Sequence, residues 1–304
     1  MPKNIFEEMG KLNPYTARVD RSHPSAFVFL IDQSGSMNNR INFGNKSISK
    51  SEAVADSVNK ILAEIINRCT KLEEKYHYFD FSLIGYGGHS NNADFLFEGN
   101  LEGKEWVTPD ELAKNCTFKS FEVTRVVRGV EMKTQMQEMC WMSPKANSLT
   151  PMGDAFDMAT KLLDNWCRKH IGLDSYPPVV INITDGQQTD CSNEIMLEKA
   201  EKLKSLGTID GNVLLFNIHL ADSASGGSIA FPTSIDQVGD DEHSKLLFNM
   251  SSYLPQNYNK DIAQILNQSF DKNKKYKALG YNVAKDFVKM LNVGTLTNLN
   301  KDDE

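Results

Sequence analysis

Four predominantly apolar runs, at residues 26–31, 81–85, 179–184 and 213–220, alternate with segments of helical periodicity, and that alternation leaves few architectures open. A strand covered on one face alternates apolar with polar residues. Continuous runs of this length read instead as strands covered on both faces, inside a parallel sheet. Between the first two runs, Val54, Val58, Ile61, Ile65, Cys69 and Leu72 recur at steps of three and four, which puts them on one side of a helix. Met152, Phe156, Ala159, Leu162, Leu163 and Trp166 repeat the pattern before the third run, and Leu197, Ala200, Leu203 and Leu206 before the fourth. Strands alternating with helices require right-handed crossovers. The expectation is an α/β fold, a doubly wound, mostly parallel and Rossmann-like central sheet with helices on both faces. Residues 93–98 read as a further strand after the turn-rich stretch GGHSNN, which predicts one antiparallel edge hairpin.

A chain of 304 residues with 40% hydrophobic composition can bury one enlarged core. Residues 1–24 read as an N-terminal arm, 25–271 as the main domain, and 272–304 as a C-terminal helix and fraying tail. Residues 101–147 break the alternation and read as an insert, with a hairpin around 118–127 and a helical piece. Within the insert Met132, Met136 and Met139 step by four and three, as a stripe that fills core or meets a partner. Further helices are predicted near 242–250 and 259–270. A last one, over 283–291, has Ala284, Phe287, Val288 and Leu291 as its apolar face.

The charge balance sets partner classes aside. Lys and Arg number 33 against 40 Asp and Glu, a formal net charge of −7, which supplies no basic footprint for nucleic acid or an anionic membrane. There is no run of 18 apolar residues and no leader-like segment in the first 24, so the expected location is cytoplasmic. Five cysteines, odd in number, scattered and without a CxxC pair, argue against both a disulfide framework and a zinc site.

In open α/β sheets the functional edge is where strands deliver their carboxyl ends. The first run ends in Asp32-Gln33-Ser34-Gly35-Ser36-Met37, and a tight loop there turns a carboxylate and two hydroxyls toward one point. Such residues also make ordinary polar turns. The third run ends in Thr184-Asp185-Gly186, with a second carboxylate at the same edge. Thr150-Pro151 opens the intervening helix, where Thr150 reads as the N-cap and Pro151 as the first helical residue. Asp32, Ser34, Ser36, Thr150 and Asp185 together surround a point with oxygen. That donor set suits Mg²⁺, Mn²⁺ or Ca²⁺ and disfavours zinc or copper. A cation ringed largely by neutral hydroxyls keeps much of its charge and seeks an acidic ligand from outside.

This DxSxS motif, the downstream threonine and the later Asp-Gly resemble the metal-ion-dependent adhesion site of von Willebrand factor A domains, with order and spacing similar from residue 26 to 270. The resemblance implies direct coordination by the hydroxyls of Ser34, Ser36 and Thr150, with Asp32 and Asp185 acting through bound water. It implies a non-enzymatic interaction module whose partner protein supplies an Asp or Glu. The missing leader resembles the cytosolic bacterial members, and LFNMSSYLP and YKALGYNVAKDFVKMLNVGT are similar to the ends of bacterial proteins associated with kinases, phosphatases or stress and defence systems. Two departures stand out: Ser148 replaces a glycine that often precedes the motif threonine, and the insert is longer than usual.

Two other readings compete. One is an adaptor for a AAA-type ATPase machine. The other is a metal-dependent hydrolase or phosphatase. Against the second, a dehalogenase-like phosphatase wants a carboxylate where Ser34 stands, and Asp32 spoils the G-x-S-x-G register of a serine hydrolase around Ser34. Gly44-Asn45-Lys46-Ser47 is no Walker loop, and the six histidines are dispersed.

Overall fold

The computed structural model describes residues 14–20, 22–43, 46–70, 78–88, 92–127, 130–220, 227–283, 289–290 and 293. The chain enters through β1 (Ser25–Gln33), turns through a small hairpin of β2 (Arg40–Phe43) and β3 (Lys46–Ser49), and continues as α1 (Lys50–Thr70). Next come β4 (Phe79–Gly87), β5 (Ala93–Phe95) and the short α2 (Pro109–Lys114). The long strands β6 (Thr117–Val127) and β7 (Val130–Cys140) pair as an antiparallel hairpin, and α3 (Met152–Lys169) leads to β8 (Val179–Thr184). Then follow α4 (Asn193–Lys204), a minor ladder of β9 (Gly207–Thr208) with β10 (Gly211–Asn212), and β11 (Leu214–His219). The described chain closes with β12 (Ile229–Ala230), α5 (Glu242–Met250), α6 (Asn259–Ile265) and β13 (Leu279–Tyr281).

Seven strands form one sheet in the order β12-β13-β11-β8-β1-β4-β5. The run β13-β11-β8-β1-β4 is parallel, while β5 and β12 are antiparallel at the two edges. The expected α/β sheet with an antiparallel edge hairpin is therefore present, and its second edge is antiparallel as well. From β1 the chain builds outward to β4 and β5, then returns past β1 to β8 and β11. The reversal beside β1 is a topological switch point, where carboxyl ends of strands open a crevice.

Side-chain alternation along each central strand splits the core into two layers. Phe27, Phe29 and Ile31 of β1 pack with Val54, Val58, Ile61 and Ile65 of α1. Ala26, Val28 and Leu30 face the other way, onto Met152, Phe156, Ala159 and Leu163 of α3 and Ala200 and Leu203 of α4. Burial on both faces explains why these strands read as near-continuous apolar runs. A polar seam crosses the second layer: the Tyr86 hydroxyl donates to Asn182 Oδ1 (2.8 Å), Asn182 Nδ2 to Asn217 Oδ1 (2.9 Å), and Asn217 Nδ2 to Ser251 Oγ (3.0 Å).

Several expectations are corrected. The insert does hold a helical piece, α2 ahead of the hairpin, but the methionine stripe lies on strand β7 and is not a helix face. Met136 pairs with Phe121 and Met139 with Phe118 across the hairpin. Met132 and Met136, an even number of residues apart, lie on one exposed side of it, and Met139 is half-buried on the other. Steps of four and three fit a strand of mixed faces as well as a helix, and the polar residues between them fit solvent on both sides. The predicted strand at 93–98 ends at Phe95, and the helix at 259–270 ends at Ile265. The boundary placed at residue 271 falls short, because Leu279–Tyr281 joins the sheet beside β11. The arm is docked where it is described: the Asp210 carboxylate accepts from the backbone N–H groups of Thr16 and Ala17, both at 3.0 Å. Leu72, the predicted face Ala284, Phe287, Val288 and Leu291, and the tail from 294 lie outside the described residues.

Candidate metal centre

The carboxyl ends of β1 and β8 meet at the switch point. Parallel register sets Ile31 beside Ile183, so Asp32 and Thr184 leave their strands side by side. The Thr184 hydroxyl donates to Asp32 Oδ2 (2.8 Å) and the Ser34 backbone N–H donates to Asp32 Oδ1 (2.8 Å). Both oxygens of a carboxylate that is only 1% exposed are thereby fixed. Burial, with the nearby Asp185 charge adding to it, pushes the Asp32 carboxyl up to about 6, against the lowering effect of those hydrogen bonds.

From Asp32 the chain enters a tight turn, Gly35–Asn38, whose Met37 anchors it in the core. The Ser34 and Ser36 hydroxyls lie 3.0 Å apart, and Ser36 donates to Asp185 Oδ1 at 2.6 Å. In an octahedron with Mg²⁺–oxygen distances near 2.05 Å, adjacent oxygens sit about 2.9 Å apart. The Ser34 and Ser36 hydroxyls thus already have the spacing of neighbouring ligands, with Asp185 against Ser36, and Ser36 is exposed, which leaves the cluster open on one side. Among the described residues no three His, Cys, Asp or Glu side chains gather where they could share a metal. The cluster is hydroxyl-rich with two carboxylates, a hard-cation donor set.

Thr150 belongs to a loop laced onto the same edge. Gly35 N–H donates to the Ser148 carbonyl (3.1 Å), and Asn147 N–H donates to the Gln33 carbonyl (2.7 Å). Ser148 has φ +68°, the left-handed region that favours glycine, so the serine found here holds a glycine-like backbone. Gly87, at the end of β4 with φ +90°, is needed for this packing, since a Cβ there would meet the Leu149 carbonyl at 2.6 Å.

The N-cap assigned to Thr150 is corrected. The N-cap position of α3 is Pro151, and the cap itself is Asp190, whose carboxylate accepts from the N–H groups of Gly153 (3.1 Å) and Asp154 (2.9 Å). Thr150 instead receives Thr189: its N–H donates to Thr189 Oγ1 (3.0 Å), and its carbonyl accepts from Thr189 N–H (2.9 Å). Its side chain is released from capping, on a residue 6% exposed.

Sequence reasoning missed Lys50. Its ammonium donates to Asp185 Oδ2 at 2.8 Å, with the two side chains 2% and 0% exposed. The β2–β3 hairpin brings it there by folding back so that Lys50 N–H donates to the Asn39 carbonyl (3.0 Å). Ser49 and Glu52 form a reciprocal capping pair, Ser49 N–H to Glu52 Oε2 (2.8 Å) and Glu52 N–H to Ser49 Oγ (3.1 Å), which makes Lys50 the first helical residue. A usable signal existed: Lys50 precedes Val54 and Val58 by four and eight, on the buried stripe of α1.

A second group flanks the centre. His219, in register with Thr184, stacks on Tyr281 (4.4 Å between centroids) and lies edge-on to His243 (5.4 Å). Desolvation lowers both imidazoles to about 4. Neither ring nitrogen of buried His243 has a hydrogen-bond partner among the described residues. His89 lies outside them.

No protein-family model matches the chain, and no curated protein sequence matches it. Among solved structures, it is similar to a von Willebrand factor type A protein from Catenulispora acidiphila (11% identity, TM-score 0.34, 68% of this chain and 39% of that one). It is also similar to the pilus adhesin SpaC from Lactobacillus rhamnosus GG (13%, 0.37, 67% and 25%). A third is an uncharacterized membrane spanning protein from Vibrio fischeri (11%, 0.25, 74% and 86%). The chain thus spans well under half the length of the first two, and its fold rests on its own strand order.

Proposed function

We propose that this chain is a von Willebrand factor A-type interaction module that holds one divalent cation at the β1–β8 edge and through it binds an acidic side chain of a protein partner. The observation behind this reading is the meeting of Ser34, Ser36 and Asp185 at 2.6–3.0 Å across 149 residues of sequence. Ser34, Ser36 and Thr150 would supply hydroxyls, and Asp32 and Asp185 would act through water. Mg²⁺ is the first candidate, ahead of Mn²⁺ and Ca²⁺. When bound, the cation supplies a positive centre with room for an outside carboxylate. This chain's own residues do the rest: Thr184 and the Ser34 amide fix Asp32, and Ser36 with Lys50 fixes Asp185.

Binding rather than catalysis is favoured because the Ser34 and Ser36 hydroxyls bond each other and Asp185, with no imidazole among these partners to activate them. A cytoplasmic setting is part of the proposal. No helix among the described residues is long and apolar enough to cross a membrane. Cys116, Cys140, Cys167 and Cys191 are all free thiols.

The test is affinity capture of proteins in Mg²⁺ against chelator, comparing the wild type with a Ser34→Ala/Asp185→Asn variant. A kinase, phosphatase or ATPase subunit retained only by wild type in Mg²⁺ supports the reading. Capture that is indifferent to chelator and variant contradicts it.

A further inference from the structure

Lys50 stands where its sequence position argues against it. The first residue of a helix feels the positive end of the macrodipole, and a buried ammonium there lacks both water and a favourable field. Its side chain is nevertheless 2% exposed, and its ammonium meets a carboxylate that is fully buried. Asp185 divides its two oxygens: Oδ1 takes the Ser36 hydroxyl and Oδ2 takes Lys50. Two carboxylates converge at this edge, and one of them, Asp32, is desolvated almost completely.

We infer that Lys50 is a built-in counter-cation of the proposed metal centre, holding Asp185 in the metal-free protein and setting a low affinity for the divalent ion. The inference rests on the metal reading above. Two independent reasons give it the same sign. With Lys50 in place, a divalent cation approaching Asp185 meets a second positive charge on the same carboxylate, in a buried setting where water screens little. With Lys50 removed, Asp32 and Asp185 face each other without compensation, and a bound cation relieves the repulsion. Either way the lysine weakens metal binding while stabilising the fold without metal. Metal occupancy then depends more heavily on the extra carboxylate that a partner brings.

The test is calorimetric titration of Mg²⁺ into the chelator-stripped full chain, for wild type, Lys50→Met and Lys50→Gln, with melting temperatures in chelator and in saturating Mg²⁺. Met matches the length of the lysine stem, while Gln keeps a donor for Asp185 without charge and serves if the Met variant does not fold. The expected result is at least tenfold tighter Mg²⁺ binding in the variants. They should also melt below wild type in chelator, with the deficit narrowed or abolished by Mg²⁺. Equal or weaker binding in the variants, with wild type still binding, overturns the role of Lys50 alone. Absence of binding in every form overturns the metal reading and this inference with it.

Discussion

Ser36 and Asp185, 149 residues apart in the chain, share a 2.6 Å hydrogen bond at the carboxyl edge of the sheet. That contact closes the β1 turn onto the β8 turn, and Lys50 closes it from the far side through the other Asp185 oxygen. The edge is therefore a connected unit of hydroxyl, carboxylate and ammonium, and its parts are energetically coupled.

Removing one member of a buried ion pair costs more than removing both. Asp185→Ala, which takes away the carboxylate facing Lys50, is expected to destabilise the metal-free protein by roughly 3–5 kcal/mol. Adding Lys50→Met should recover more than half of that loss. Urea unfolding in chelator measures both, and additive single-variant losses would contradict the coupling.

The parts of this edge that were legible in the sequence are those fixed by strand position. Asp32 and Asp185 could be placed because predominantly apolar runs end just before them, and parallel strands deliver their ends to one side. The burial of Lys50 was legible from its place on the α1 stripe, but its meeting with Asp185 was not, because the β2–β3 hairpin that carries it back to Asn39 has too little apolar patterning to announce itself: Ile41 is the one fully buried apolar residue described in it. The insert was misread for a related reason. Its methionines satisfy two periodicities, and an antiparallel hairpin exposed over most of its length, with its base half-buried at Met139, lacks the apolar alternation that identifies a strand.

The polar seam beneath the centre gives a second expectation. Asn182→Ala removes the acceptor of the Tyr86 hydroxyl and the donor to Asn217. The Tyr86 hydroxyl then keeps only its longer bond to the Ile183 carbonyl (3.3 Å) and Asn217 Oδ1 loses its donor, for a loss of roughly 1–3 kcal/mol by urea unfolding. A variant within 0.5 kcal/mol of wild type, on the scale of about 0.5 kcal/mol typical of exposed positions, would show the seam to be incidental.

Because Asp190 and not Thr150 caps α3, the two residues should separate in experiment. Asp190→Ala is expected to cost about 1 kcal/mol of stability. Thr150→Val should cost less than Asp190→Ala in chelator yet lose more Mg²⁺-dependent stabilisation, read by thermal melting with and without the ion. The reverse ranking would return the cap to Thr150.

Stability should fall on acidification. His219 and His243 are lowered from 6.5 to about 4, so the unfolded chain binds more protons than the folded one in that window, and their contribution is complete above pH 6.5 and lost toward pH 4. Asp32, raised from 3.8 to about 6, acts in the opposite sense, because the folded chain takes up its proton first. A group moved this far changes stability by roughly 3 kcal/mol, so two histidines outweigh one carboxyl and the net loss is a few kcal/mol. Urea unfolding at pH 7.5 and 4.5 in chelator, repeated with His243→Gln, checks the sign. A flat or rising profile on acidification would contradict it, and the variant should flatten the slope.

Whether a hard cation sits between the two serines is the question on which the rest depends, and crystals soaked in Mn²⁺ answer it through anomalous scattering. The expected map has one strong peak about 2.1 Å from the hydroxyls of Ser34 and Ser36, with Asp32 and Asp185 in its surrounding shell. A map with no peak at the β1–β8 edge, or with the ion bound elsewhere on the chain, would contradict it.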